Sequence, residues 1–246
     1  MNDKYLKFRK VDDNETELFI YGDIRKKDLI DAWLGTGNDA VDAFTLKDAL
    51  QTVDTPNLTV RINSYGGSVS EGLAIYSLLQ DFKGHVKTIV DGFACSAASV
   101  VFMAGETRVV PESGLLMIHN AWMSAEGDSN TMKKVAEDLE KITQPSVNIY
   151  VSKTGQSEEK IKEMMDRESW ITSKEAFELG FATTIEKNDS AKQSLESNYL
   201  HNLVMKIKDL ETINKDLQEK YNISCKNNNI IANETKNEDP WRSFFN

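Results

Sequence analysis

Cysteine and histidine are scarce in this chain, two and three among 246 residues. The two cysteines sit in unrelated contexts, Cys95 in an apolar run and Cys225 in a polar one. They give no disulfide framework, and a reducing cytoplasm is the expected compartment. Positive charge is also short. Lysine and arginine total 29 against 39 acidic residues, a net charge of −10 and a pI near 4.9. That balance argues against a nucleic-acid partner, because phosphate binding needs clustered cations. No apolar run reaches membrane-spanning length. The opening "MNDKYLKFRK" lacks the apolar core of a signal peptide. No metal or cofactor is expected. What remains is a chain that is 40% hydrophobic and 28% charged, the composition of a soluble globular protein. Its length suits one large domain followed by a tail.

The chain is organised around residues 62–99. Ile62-Asn63-Ser64-Tyr65-Gly66-Gly67-Ser68-Val69 reads as the end of a strand running into a double-glycine turn. Glycines belong where φ is positive or where another backbone group comes close. Gly92-Phe93-Ala94-Cys95-Ser96-Ala97-Ala98-Ser99 follows a strand from Val86 and leads small residues into an apolar helix. A serine at that helix start sits among backbone N–H donors. Acyl transfer requires a hydroxyl nucleophile and N–H groups aimed at a developing oxyanion. Taken singly, the Gly-Gly pair reads as an ordinary turn and Ser96 as a packing serine; together with a histidine at a strand end they point to catalysis.

Elimination narrows the base. His85 sits beside a helix stop and is expected on the surface, and His201 lies in the tail. His119 follows the apolar strand "GLLMI", where an unpartnered imidazole is expensive. Cys95 rivals Ser96 as a nucleophile on chemistry alone; neighbours on a helix would point about 100° apart.

The remaining pattern is α/β. Strands are expected at 17–21, ended by Gly22, and at 58–62, 86–90, 107–110 and 115–118. Helices are expected at 70–82 and 96–104, with helical spacing in "TLKDALQTV". A long polar helix spans 131–153, with Pro145 expected to kink or interrupt it. Shorter helices are expected at 157–165 and 173–179. Residues 1–14 read as polar and mobile. After about 188 the composition shifts. An amphipathic helix is expected at about 195–221. A disordered Asn-rich stretch and a terminal aromatic cluster, Trp241 to Asn246, follow it.

"INSYGGSVSEGLAIYSLLQ", "GFACSAASVVFMAG", "LLMIHNAW" and "TGQSEEKIKEMMDRESWITSKEAFELGFATTI" together resemble the ClpP family, the Clp protease proteolytic subunit, over roughly residues 15–187. Within it the chain looks most like the branch that phages and prophages use for head maturation. The "ESW" block and an insert near Trp33 to Leu50 point that way.

The resemblance implies a crotonase-like ββα spiral with a protruding handle helix, the 131–153 segment. It implies a domain at 1–188 and an extension at 189–246. It makes Ser96 the nucleophile and His119 the general base. The gapless match puts Glu168 where the family has an aspartate, with Asp166, two positions earlier, as the alternative acid. The oxyanion-hole donors fall on the N–H groups of Gly67 and Ala97. Tyr65 replaces the family's usual proline before the double glycine, which leaves the rigidity of that turn open.

The implied function is a serine endopeptidase acting on scaffold or capsid proteins, in the host cytoplasm or prohead interior, as a homo-oligomeric ring or stacked rings. The alternative is a proteolytic subunit that works with an AAA+ unfoldase. An acyl-CoA enzyme of the same fold and a catalytically inactive scaffold protein complete the readings.

Overall fold

The computed structural model describes residues 6–26 and 40–184. The tail calls, including the helix at about 195–221, Cys225 and His201, lie outside the described residues, as does Trp33.

One eight-stranded sheet carries the described fold. Its main path runs β1 (Leu6–Lys10), β2 (Glu15–Ile24), β4 (Asn57–Gly67), β5 (His85–Cys95), β7 (Leu115–Ile118) and β8 (Ser169–Thr172). The short strands β3 (Ala40–Val41) and β6 (Thr107–Val109) pair with β2 and β5. Pairing is parallel from β2 to β7, and both edge strands, β1 and β8, are antiparallel. The helices are α1 (Ala43–Leu50), α2 (Val69–Gln80), α3 (Ala97–Phe102), α4 (Ser129–Thr154), α5 (Glu158–Asp166) and α6 (Ser173–Glu178). Parallel strands need crossover segments, and α2 and α3 supply them after β4 and β5.

Both crossovers sit over the sheet's buried face. Leu58, Val60 and Ile62 of β4, Val90 and Ala94 of β5, and Ile75 and Leu79 of α2 join one core. The helix α3 is buried on every side, from Ala97 to Phe102, as a helix apolar all round must be.

The other face of the sheet carries a polar cluster across β2, β4 and β5. Arg61 forms an ion pair with Asp91, which also accepts from the Tyr21 hydroxyl at 2.5 Å. Burial and the neighbouring Asp91 carboxylate push the Tyr21 phenol pKa well up. At the far end, the buried Arg108 guanidinium donates to the carbonyls of Gly105, Lys153, Gly180 and Phe181. This ties the end of α4 to the segment after α6.

Four expectations change. Residues 6–10 are a strand, because Leu6 and Phe8 pair across β2 with Ile20 and Leu18 and extend the core. Gly22 does not end β2; the strand passes through it with a register shift between Tyr21 and Asp23. Likewise β4 continues through both glycines and β5 through Gly92, each with an irregularity in pairing. Glycine inside a strand marks a bulge as readily as an end. Pro145 lies inside α4, which runs unbroken from Ser129 to Thr154. Tertiary packing explains this: Thr143, Ser146, Val147 and Tyr150 are the helix's buried residues and flank the proline on both sides. Finally, "SWIT" is the antiparallel edge strand β8, which no periodicity announced.

Candidate active site

The end of β5 makes the site. Its last pairs with β7 are Phe93 with Leu115, Ala94 with Leu116 and Cys95 with Met117. The next residue, Ser96, extends that contact by donating its N–H to the Met117 carbonyl at 2.8 Å. Its backbone then turns sharply, with φ 54° and ψ −126°. A positive φ in a residue with a Cβ costs roughly 1–3 kcal/mol and persists only where its surroundings over-determine it. At Ser96 those surroundings are visible. Ser99 donates its hydroxyl to the Ser96 carbonyl at 2.6 Å and shares a 2.7 Å hydrogen bond with Tyr150. Burial pushes the Tyr150 phenol pKa well up, so it stays a neutral hydroxyl.

Glycines clear the space. A Cβ on Gly66 would stand 2.4 Å from the Cys95 carbonyl oxygen, 2.8 Å from Ser96 Cβ and 2.9 Å from Ala97 N. A Cβ on Gly72 would meet Ala97 Cβ at 2.8 Å. The double-glycine turn and the Ser96 elbow therefore touch, as the two motifs had to if they share one site. Gly67, at φ 140°, lies against Ile24, whose carbonyl accepts from Ser68 N–H at 2.7 Å.

The turn is hydrogen-bonded without proline. Ser64 bridges it, accepting from Gly66 N–H at 3.0 Å and donating to the Gly22 carbonyl. Tyr65 packs edge-on against Phe93 with centroids 5.5 Å apart, and Phe93 against Trp170 at 5.7 Å.

His119 follows β7 directly, and its Nε2 lies 2.7 Å from Ser96 Oγ. That is hydrogen-bonding reach, the first requirement for a general base. His85, by contrast, is half exposed and paired with Glu106 at 2.7 Å. Cys95 is fully buried at the end of β5, so strand geometry and enclosure separate it from Ser96, rather than a helical offset. Burial pushes its thiol up to about 12, which removes the thiolate on which cysteine nucleophilicity depends.

The two candidate acids fall differently. Asp166 accepts from Asn120 Nδ2 at 2.8 Å. Glu168 is exposed, with φ 49°, in the turn between α5 and β8. Neither carboxylate bonds His119 among the interactions of the described residues. Register nevertheless favours one of them. β7 and β8 pair antiparallel as Met117 with Trp170 and Ile118 with Ser169; one further step along both strands brings His119 opposite Glu168.

A pocket opens beside the pair, lined among others by Val69, Ala97, Val100, Thr143, Ser146 and Met165. Thr143 fixes the loop after His119 by accepting from Ala121 N–H at 3.1 Å while donating to the Leu139 carbonyl at 2.8 Å. Sequence reasoning missed Ser99, Asn120, Thr143 and Tyr150. Only Asn120 carried a signal, as a polar residue adjoining the candidate base. Among the described residues no cluster of His, Cys, Asp or Glu is placed to hold a metal, and no helix is long and apolar enough to cross a membrane.

A family model for Clp protease matches residues 40–189. An ATP-dependent Clp protease proteolytic subunit from Bacteroides fragilis is 33% identical over 174 residues, 68% of this chain and 83% of that protein. The chain belongs to the Clp protease family. A second such subunit, from Bacteroides thetaiotaomicron, is 31% identical over 68% of this chain and 78% of the relative. A mutant ClpP1 from Listeria monocytogenes has the same fold, with a TM-score of 0.56 over 70% of this chain and 91% of its own, at 24% identity. Clp protease family members are serine-type endopeptidases, and this chain is an enzyme of that class with the ClpP fold.

Proposed function

We propose that the chain hydrolyses polypeptides with Ser96 as nucleophile, His119 as general base and Glu168 as the group that orients the imidazole. The 2.7 Å contact between His119 Nε2 and Ser96 Oγ carries the reading. Ser96 Oγ attacks the scissile carbonyl carbon as its proton passes to His119. The oxyanion forms against the N–H groups of Gly67 and Ala97. His119 returns the proton to the leaving amine, the C–N bond breaks, and an acyl-Ser96 ester remains. Water, deprotonated by the same imidazole, then hydrolyses the ester.

Strand order supports the choice of acid. In the sheet β5, β7 and β8 are neighbours, and Ser96, His119 and Glu168 each adjoin the corresponding end of one of them. Closure of the Glu168 side chain onto His119 Nδ1 is a rotation about an exposed side chain, with no change of strand register.

An active-site serine phosphonate tests the mechanism. The adduct is expected at Ser96 and absent in Ser96→Ala, which should lose peptide hydrolysis by about 10⁴-fold or more while staying folded. An active protein that forms no adduct at Ser96 overturns it.

Within that chemistry, we assign the substrates to scaffold and capsid proteins of an assembling phage head. The departures that support this are the glutamate at 168, the segment around Trp33 to Leu50, and the extension after 188. Assembly as a homo-oligomeric ring or stacked rings is supported by α4, which buries no residue before Thr143. That leaves more than half its length for another subunit. A second reading, a proteolytic subunit fed by an AAA+ unfoldase, is favoured by the relatives, which are named as ATP-dependent Clp protease proteolytic subunits. Cleavage of purified scaffold without ATP supports the first role. Cleavage only with an unfoldase and ATP supports the second.

A further inference from the structure

The pocket beside Ser96 carries information about which peptide bonds are cut. Its lining includes no lysine, arginine, aspartate or glutamate. Its walls are apolar at Val69, Val100 and Met165. Its polar side chains are mostly occupied: Ser96 with His119, Asn120 with Asp166, Thr143 with Leu139 and Ala121, Tyr150 with Ser99. Ser146 is the exception.

Ser146 is 8% exposed and sits on the buried side of α4. Two other hydroxyls of this helix bond back to a carbonyl four residues earlier, Thr143 to Leu139 and Thr154 to Tyr150. The Ser146 hydroxyl has no such bond and no other partner among the described residues. Yet no fully enclosed side-chain polar atom among them lacks a partner. Its Oγ is therefore reachable, and the pocket it lines is where it is reached. A hydroxyl held more than nine-tenths buried, with no partner among the described residues, is available to bond a polar group that enters the pocket.

We infer that Ser146 selects substrates. It hydrogen-bonds the end of the side chain on the acyl side of the scissile bond, and the preferred residue there is uncharged, with an apolar stem and a hydrogen-bonding end, as in glutamine. The stem lies along Val69, Val100 and Met165. The amide end meets Ser146 Oγ, which can donate to its oxygen or accept from its nitrogen. Lysine and glutamate are rejected, because the lining offers no countercharge and a buried unpaired charge is costly. Leucine fits the walls but leaves the Ser146 hydroxyl without a bond once the side chain displaces water. A site built to hydrogen-bond its substrate discriminates strongly against analogues that cannot.

This inference rests on Ser96 as the nucleophile, and the test separates the two. Four fluorogenic peptides, matched except for Gln, Leu, Ala or Lys before the scissile bond, are compared on the full-length enzyme by kcat/KM. The Ser96 phosphonate adduct is mapped on the same preparation. The Gln peptide should exceed the Leu peptide by about 10-fold, equal to about 1.4 kcal/mol, and the Lys peptide by more. In Ser146→Ala the Gln-to-Ala selectivity ratio should fall by about 10-fold, and Ser146→Thr should restore part of it. An adduct at Ser96 with Leu or Lys preferred over Gln in the unmodified enzyme overturns the inference and leaves the mechanism standing. So does an unchanged Gln-to-Ala ratio in a folded Ser146→Ala. Turnover with no adduct at Ser96 removes both.

Discussion

Gly66→Ala tests the contact between the two motifs, and its size can be worked from the geometry. The new Cβ would lie 2.4 Å from the Cys95 carbonyl oxygen and 2.9 Å from Ala97 N, both backbone atoms that no rotamer change can move. Ordinary van der Waals contact begins at 3.4 Å, so relief by separation alone requires about 1 Å of movement between the turn and the elbow. Gly66 also has φ +93°, a conformation strained for any residue with a Cβ. That strain costs ~1–3 kcal/mol, and overpacking of a filled site adds ~1–3 kcal/mol. The variant should stay folded, since domains hold ~5–15 kcal/mol, but its melting temperature should fall by roughly 5–20 °C. Activity should suffer more, because a 1 Å misplacement of reacting groups costs about 100-fold. The control is Gly155→Ala, also at positive φ, +73°, but with nothing within 4 Å. It should show strain of about 1 kcal/mol and unchanged turnover. The assay is kcat/KM on one peptide beside a thermal melt for both variants. Gly66→Ala within 3-fold of the unmodified enzyme would refute the reasoning: the turn and the elbow would then not be in contact.

Three further outcomes are expected. Glu168→Gln should reduce kcat more than Asp166→Asn, measured on folded proteins; the reverse ranking transfers the orienting role to Asp166. Glu168→Gly should lose at least 100-fold in kcat, yet its melting temperature should hold or rise by a few degrees. Glycine relieves the φ of 49° at that position, so a large loss of stability would mean the carboxylate is a structural anchor. Cys95 should resist iodoacetamide in the native protein at pH 8, where a thiol with a pKa near 12 is ionised in about one molecule in 10⁴. Mass spectrometry showing rapid native labelling at Cys95 would contradict its enclosure.

The helices were legible because each carries its own local signals. Ser157 caps α5 through Lys160 N–H, and Thr172 with Glu175 forms a reciprocal cap on α6; both are short-range patterns. Strand lengths were not legible. β4 and β5 are each 11 residues and run on through their glycines, because parallel neighbours on both sides keep pairing where local propensity would stop. Asn63 shows how: its Oδ1 accepts from Phe93 N–H at 3.2 Å across the irregularity, a bond between residues 30 apart in sequence. Ser96 and His119 were legible as candidates because a serine elbow and a histidine at a strand end are local features, and the structure brings the two into contact. Their supports were not. Ser99 and Tyr150 are 51 positions apart and meet only because α4 packs against α3.

Backbone strain falls on two residues of the proposed triad. Among the described residues, Ser96 and Glu168 are the non-glycine positions with positive φ. They flank β7 from opposite sides, one ending β5 and the other preceding β8. Two strained residues of ~1–3 kcal/mol each are a sizeable fraction of a domain's stability, so each needs local compensation. Ser96 has it in full: its N–H, its carbonyl and its hydroxyl are all bonded, to Met117, Ser99 and His119. Glu168 has only its N–H bonded, to the Met165 carbonyl; its carboxylate is unpaired among the described residues. The asymmetry assigns different tasks to the two ends of the row. In the proposed mechanism Ser96 is held in place before substrate arrives. In the proposed triad Glu168 stands at the matching register with its carboxylate unpaired among the described residues, and the triad would close by rotation of that side chain. Replacing Glu168 with aspartate, one methylene shorter, should then cost activity even though the charge is kept, because the backbone at 168 is set by the register of β8 and cannot advance.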